Sequence, residues 1–185
     1  MEIKKTTIKD VIVIVPKKHG DHRGFFSETY NSKNLKDCGI NINFVQDNHS
    51  LSAEKYTLRG LHYQSPPFDQ DKLVRVVKGS ILDVAVDIRK GSPTYGHYVK
   101  EVLSDKKWNQ ILVPTGFAHG FLTLEKDTEV IYKVSNFYSK DNDHGISWND
   151  KDINILWNEE EFAPILSEKD NNQPLLKDIE SPFKY

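Results

Sequence analysis

Two short stretches concentrate the side chains that could do chemistry. Thr57-Leu58-Arg59-Gly60-Leu61-His62-Tyr63-Gln64 sets an arginine, a glycine and a histidine close together on what reads as an extended segment. Val113-Pro114-Thr115-Gly116-Phe117-Ala118-His119-Gly120-Phe121 reads as a second segment facing it, with a histidine of its own. An imidazole titrates near neutrality, so His62 is a candidate base that takes a proton from a substrate and holds it briefly. Arg59 is suited to bidentate contact with phosphate oxygens. These residue types describe a polar pocket set inside a sheet.

The elements that must hold them are short strands. Residues 11–15 form a β-branched run closed by Pro16, residues 17–21 read as a turn, and residues 23–29 resume as a strand. Ser32 is expected to cap a short helix over 33–38, with Gly39 as its left-handed stop. Further strands are predicted at 43–46, 57–61, 72–77, 80–88, 98–103, 110–113, 118–124 and 129–134, with Gly, Pro and Ser turns between them. Alternation within 80–88 puts Leu82, Val84, Val86 and Ile88 on one face and Ile81, Asp83, Ala85 and Asp87 on the other. The first face can fill a core; the second offers carboxylates to solvent or to the mouth of a cavity. From Lys151 onward the pattern loosens into loops and short helical turns. The expectation is an all-β chain, a single domain over 1–185 built as a jelly-roll β-sandwich with few short helices.

Bulk properties narrow the function classes. A chain of 185 residues can bury a core without disulfide staples. Its 25 basic and 27 acidic side chains give a net charge of −2, which argues against a nucleic-acid or membrane surface. A phosphorylated small molecule would need only a few local cations. Cys38 is the single cysteine, so no internal disulfide or cysteine-based metal cluster is expected. Residues 1–10 lack the apolar core of a signal peptide, and no apolar run approaches the roughly 20 residues of a membrane span. A cytoplasmic protein is expected.

Pro114-x-Gly116-x-x-His119 has the spacing of the second sequence motif of cupins, the small jelly-roll proteins. Their first motif usually supplies His-x-His and a following glutamate as metal ligands. Here Tyr63 and Gln64 follow His62, and Lys72, next to Asp71, stands near where the glutamate would be. Two histidines beside an ammonium make a poor divalent-cation site, so a metal-free cupin is expected.

More specifically, the chain resembles the dTDP-4-dehydrorhamnose 3,5-epimerase family. The resemblance is carried, in order, by Asp21-His22-Arg23-Gly24-Phe25-Phe26-Ser27-Glu28, Phe44-Val45-Gln46-Asp47-Asn48, Leu58-Arg59-Gly60-Leu61-His62 and Gln70-Asp71-Lys72-Leu73-Val74. It continues in Pro114-Thr115-Gly116-Phe117-Ala118-His119-Gly120-Phe121, Tyr132-Lys133 and Leu166-Ser167-Glu168-Lys169-Asp170. It implies a nucleoside-diphosphate 4-keto-6-deoxy sugar as substrate and proton abstraction next to the ketone, with no cofactor. The same resemblance makes His62 the base, Asp170 the carboxylate that orients it, Tyr132 the acid on the far face, and Lys72 the cation over the enolate oxygen. For the nucleotide it implies Arg23, Arg59 and His119 at the diphosphate, and Gln46, Asn48 and Glu28 at the base or ribose. Phe26 and Lys169 join that set, and Tyr138 stacks on the nucleobase or serves as an ordinary core or interface aromatic. Asp143 stands where the family often has glutamate, and Trp148-Asn149-Asp150-Lys151 and Trp157-Asn158 depart from family patterns that end in proline. The family forms homodimers in which terminal strands pair across the interface, and residues 11–15 suit such an exchange. Three alternatives stand beside this reading: an epimerase acting at one carbon only, a metal-dependent cupin enzyme, and a non-catalytic carbohydrate-binding module.

Overall fold

A computed structural model describes residues 1–159 and 161–185; Glu160, within the expected C-terminal loops, lies outside the described residues. The strands, in chain order, are β1 (Glu2–Lys5), β2 (Ile12–Val15), β3 (His19–Asp21), β4 (Gly24–Phe26), β5 (Gln46–Ser52), β6 (Leu58–Gln64) and β7 (Lys72–Lys78). They continue as β8 (Ser80–Asp87), β9 (Tyr98–Ser104), β10 (Gln110–Val113), β11 (Phe117–Thr123), β12 (Thr128–Val134) and β13 (Asp143–Gly145). Two short helices, α1 (Ser32–Asp37) and α2 (Glu168–Asn171), complete the set with two single 3₁₀ turns. Two antiparallel sheets face each other in the orders β1-β2-β10-β7-β12-β5 and β13-β6-β11-β8-β9. This is the expected all-β, cupin-like jelly roll.

Each face of the sandwich is covered by a different piece of chain. Between the sheets lie Val13, Val74, Val76, Ile81, Ala85, Ile111, Phe117, Phe121 and Val130. Outside the five-stranded sheet, Leu58, Leu61, Leu82, Val84 and Val86 pack against Ile153, Trp157, Leu176 and Phe183 of the C-terminal segment. Outside the other sheet, α1 lays Leu35 against Ile14, Leu73 and Leu112. Strand β8 is therefore buried on both faces, and Asp83 and Asp87 are fully buried rather than open to solvent. Asp87 is satisfied there by Arg89, Ser92 and Thr94.

Several expectations need correction. Residues 19–21 are a strand, not a turn, because β3 pairs with β4 as a small hairpin. Strand β4 stops at Phe26, short of the expected Thr29. The helix cap is Asn31, whose side chain accepts the Asn34 N–H, and Ser32 is already helical. Gly39 does end the helix at φ +84°, with the Gly39 N–H on Lys36 and the Ile40 N–H on Leu35, the paired bonds of a left-handed stop. The strand expected at 43–46 lies later, at Gln46–Ser52, and pairs along its whole length with β12.

One close approach fixes how β6 sits beside β11. Gly60 has φ +119°, and a Cβ built there would lie 2.5 Å from the Gly120 Cα and 2.7 Å from the His119 carbonyl oxygen. Both neighbours are backbone, so neither can swing away. Gly60→Ala is expected to destabilise the fold by about 2–5 kcal/mol, from disfavoured backbone conformation and overpacking together. Chemical denaturation measures this; a change below about 0.5 kcal/mol, the scale of an ordinary surface substitution, would contradict the packing described.

Candidate active site

His62 lies on β6, and its register partners are His119 on β11 and Gly145 on β13. Its Nε2 lies 2.5 Å from Oδ1 of Asp170, which is 108 residues further along the chain. Asp170 is held by its own helix end: Ser167 caps α2, accepting the Asp170 N–H and donating its hydroxyl to Oδ2 at 2.7 Å. The Gly60 N–H approaches Oδ1 at 3.4 Å. The carboxylate side chain is 5 % exposed and the imidazole 29 %, so only the imidazole reaches outward. Burial pushes the Asp170 carboxyl up, but hydrogen bonds from His62 and Ser167, the His62 charge and the Gly60 N–H outweigh it and hold it below the usual range. An ionised carboxylate accepts, so Nε2 is the nitrogen that carries a proton toward Asp170 and Nδ1 is the one left facing away from it.

His62 opens into a cavity of about 300 Å³. The two sheets supply opposite walls. From the six-stranded sheet come Gln46, Asn48, Lys72 and Tyr132; from the other come His62, Tyr63, Gln64 and Asp143. Register explains the first set, because Tyr132 pairs with Asn48, and Val134 pairs with both Gln46 and Lys72. Residues two apart on paired strands share a face, so all four converge. Tyr138, from the loop after β12, and Gln70 complete the lining.

Electrostatics separate the two groups on the Tyr132 wall. Burial pushes the Tyr132 phenol up, opposed by the Arg59 charge and reinforced by Asp143, so it keeps its proton at neutral pH. Burial pulls the Lys72 ammonium down to about 8; Asp143 and Asp83 resist that pull and Lys169 adds to it. The Lys72 Nζ reaches the His62 carbonyl oxygen at 3.5 Å.

The remaining expected residues fall into two groups. Around the cavity, Asp143 Oδ2 binds the Lys169 Nζ at 2.5 Å and accepts from the Tyr138 hydroxyl at 3.1 Å. Gln46 donates to Asn48, and Arg59 is anchored on the Ser52 hydroxyl and the Leu51 carbonyl. His119 is buried with Nε2 2.9 Å from Asp83. Arg59, His119 and Lys169 stand behind the lining rather than in it, and Arg23, Phe26 and Glu28 are not among the lining residues either. Arg23 is paired with Asp21, Glu28 accepts from Asn31 and Asn34, and Phe26 is 67 % exposed on β4.

Sequence reasoning gives Gln64 and Ser167 no role of their own and leaves Asp83 only as a carboxylate facing solvent or a cavity. Gln64 donates to the Phe68 and Phe137 carbonyls and accepts the Ser139 N–H, pinning two loops beside the cavity. Its place two residues after His62 on one strand was the available signal. Ser167 stands three before Asp170, the spacing of a helix cap. Among the described residues, no group of three or more His, Cys, Asp or Glu could hold a metal ion.

A model of the dTDP-4-dehydrorhamnose 3,5-epimerase family matches residues 5–178. The Shigella flexneri dTDP-4-dehydrorhamnose 3,5-epimerase is 51 % identical over 181 residues, covering 97 % of this chain and 98 % of that protein. This chain belongs to that epimerase family. Among solved structures, the Legionella pneumophila dTDP-6-deoxy-D-glucose-3,5-epimerase in complex with dTDP-4-keto-L-rhamnose is 41 % identical, with a TM-score of 0.94 over 100 % of this chain and 98 % of that one. The Bacillus anthracis dTDP-4-dehydrorhamnose 3,5-epimerase with TDP and PPi bound is 48 % identical, with a TM-score of 0.90 over 94 % and 98 % of the two chains.

An epimerase cavity that uses Lys72 as a cation loses that cation when the pH rises through about 8, while Tyr132 stays protonated. Activity is therefore expected to fall on the alkaline side with a midpoint near 8. Lys72→Met is expected to remove that limb and lower kcat by about 10²–10³. A pH–rate profile checks both, and an alkaline limb that persists unchanged in Lys72→Met would contradict the assignment.

Proposed function

We propose that this chain converts dTDP-4-dehydro-6-deoxy-D-glucose to dTDP-4-dehydro-L-rhamnose, inverting C3 and C5 with no cofactor. The observation that carries the reading is the placement of a carboxylate-oriented imidazole and a neutral phenol on opposite walls of one cavity, with an ammonium beside them. Inversion next to a ketone needs that arrangement. A base removes the carbon-bound proton from one face, the electron pair moves to the C4 oxygen, and an acid returns a proton to the other face.

His62 Nδ1 takes the proton, and Asp170 stabilises the imidazolium that results. The Lys72 ammonium faces the enolate oxygen, where charge develops. Tyr132 donates its hydroxyl proton to the far face and regains one from solvent. Once His62 has released its proton to solvent, the same pair acts at the second carbon. The substrate's own ketone serves as the electron sink, so no other group is required.

Arg59, His119 and Lys169 are assigned to the diphosphate, Gln46 and Asn48 to the base and ribose, and Tyr138 to stacking, with Asp143 as its hydrogen-bond partner. Arg23, Phe26 and Glu28 sit on and after a projecting hairpin outside the cavity, so their assignment to substrate calls for a second copy that brings them to its neighbour's site. We read the chain as a single 1–185 catalytic domain working as a homodimer, with a solution mass of twice the 21.3 kDa chain. Its exposed, unpaired Cys38 suits the reducing cytoplasm.

The test is incubation of the keto-sugar with the protein in deuterated water. Deuterium is expected at both C3 and C5. Exchange at one carbon alone would make the chain a single-carbon epimerase, and no exchange would overturn the reading. His62→Ala is expected to slow exchange by about 10²–10⁴ while dTDP binding largely survives.

A further inference from the structure

Strand β8 carries two buried carboxylates on its inner face, and only one is accounted for locally. Asp87 is paired with Arg89 and bonded by two hydroxyls. Asp83 has a single bond, from Oδ2 to the His119 Nε2 at 2.9 Å. Its Oδ1 has no hydrogen-bond partner among the described residues, although the side chain is fully buried. A half-used buried carboxylate is costly, and an apolar side chain would fill the same strand position more stably.

Register explains whom Asp83 addresses. His119 pairs with Ala85 on β8, so Asp83 is its diagonal neighbour on the same face. On the other side of β11, His119 pairs with His62. Asp83, His119 and His62 thus run across three adjacent strands on the wall that faces Lys72 and Tyr132. The groups around Lys72 are Asp83 on β8, Asp143 on β13, Lys169 in α2, Tyr132 on β12, and His62 and His119 on β6 and β11. Of the two acids, Asp143 is already bound to the Lys169 ammonium. Asp83 meets no lysine or arginine among the described ion pairs; its partner there is His119.

We propose that Asp83 is a positioning residue for the epimerisation, a buried negative charge that fixes the His119 ring and keeps the Lys72 ammonium charged beside the enolate oxygen. The inference rests on the epimerase reading of the cavity. Asp83 touches no substrate; it acts through His119 and Lys72. Its electrostatic support of Lys72 runs against the desolvation that pulls that ammonium down.

The experiment compares pH–rate profiles, from about pH 6 to about pH 10, for wild type, Asp83→Asn and Asp83→Ser. Asparagine keeps the shape and removes the charge; serine is smaller and keeps a hydroxyl for His119, so either folded variant carries the test. Both are expected to shift the alkaline limb down by about one pH unit, which lowers kcat by about twofold at pH 7 and by about tenfold at pH 9. Placed in a Lys72→Met background, Asp83→Asn is expected to shift no limb at all. A folded variant whose limb coincides with wild type would overturn this inference alone, since a merely structural Asp83 would leave the midpoint where it was. Absence of turnover by the wild-type protein would overturn the epimerase reading and this inference with it.

Discussion

The site depends on a carboxylate reaching an imidazole across 108 residues of chain. His62 is fixed early, on a strand inside a sheet, but Asp170 belongs to a segment with almost no regular structure. What returns that segment to β6 is apolar burial on the outer face of the sheet. Trp157, Leu176 and Phe183 are buried there, with Phe162 and Leu166 packed beside them. Backbone pairing sets the register: the Leu58 N–H donates to the Ile165 carbonyl, and the Ile165 N–H to that of Tyr56. The dyad is then aimed by Ser167, which uses one hydroxyl both to cap α2 and to orient the carboxylate. Hydrophobic contacts on the outer side of the sheet thereby position the carboxylate that holds the His62 ring.

The sandwich also divides the chemistry between its sheets. One wall supplies the carboxylate-oriented imidazole, the other the phenol and ammonium, and neither sheet alone could present groups from both sides of the cavity. Antiparallel pairing makes the division exact in register: Tyr132, Asn48, Gln46 and Lys72 converge because β5, β12 and β7 are neighbours, although they span residues 46 to 134. Charges of both signs are kept close without cancelling. Asp143 offsets Lys169 at the rim, while Asp170 serves the base and Asp83 lies behind His119.

Much of the sandwich was legible because its central strands are rich in β-branched residues and bounded by Gly, Pro and Ser turns. The strands from Lys72 to Val134 fall within a residue or two of where alternation placed them. The edges were not legible. Strand β1 reads as a polar Lys-rich tail, β3 looks like a turn because of its Gly20, and β13 is three residues long; pairing, not propensity, makes them strands. Alternation found the two faces of β8 but left the Asp83 and Asp87 face to solvent or a cavity mouth, since the sheet that covers it is assembled from distant strands. The dyad itself has no signature in periodicity. Nothing local ties residue 62 to residue 170, and only the resemblance of Ser167-Glu168-Lys169-Asp170 to a family motif joined them. Arg23, Phe26 and Glu28 were named by the same resemblance, yet one chain keeps their hairpin out of the cavity.

The claim on which everything turns is that Asp170 fixes the His62 proton on Nε2 and leaves Nδ1 as the base. Nitrogen-15 NMR of the histidine rings reads this directly. The account predicts a protonated Nε2 for His62 in the resting protein, with a strongly downfield Nε2 proton that disappears in Asp170→Asn. A resting ring protonated on Nδ1, or an Nε2 proton signal indifferent to that substitution, would contradict it.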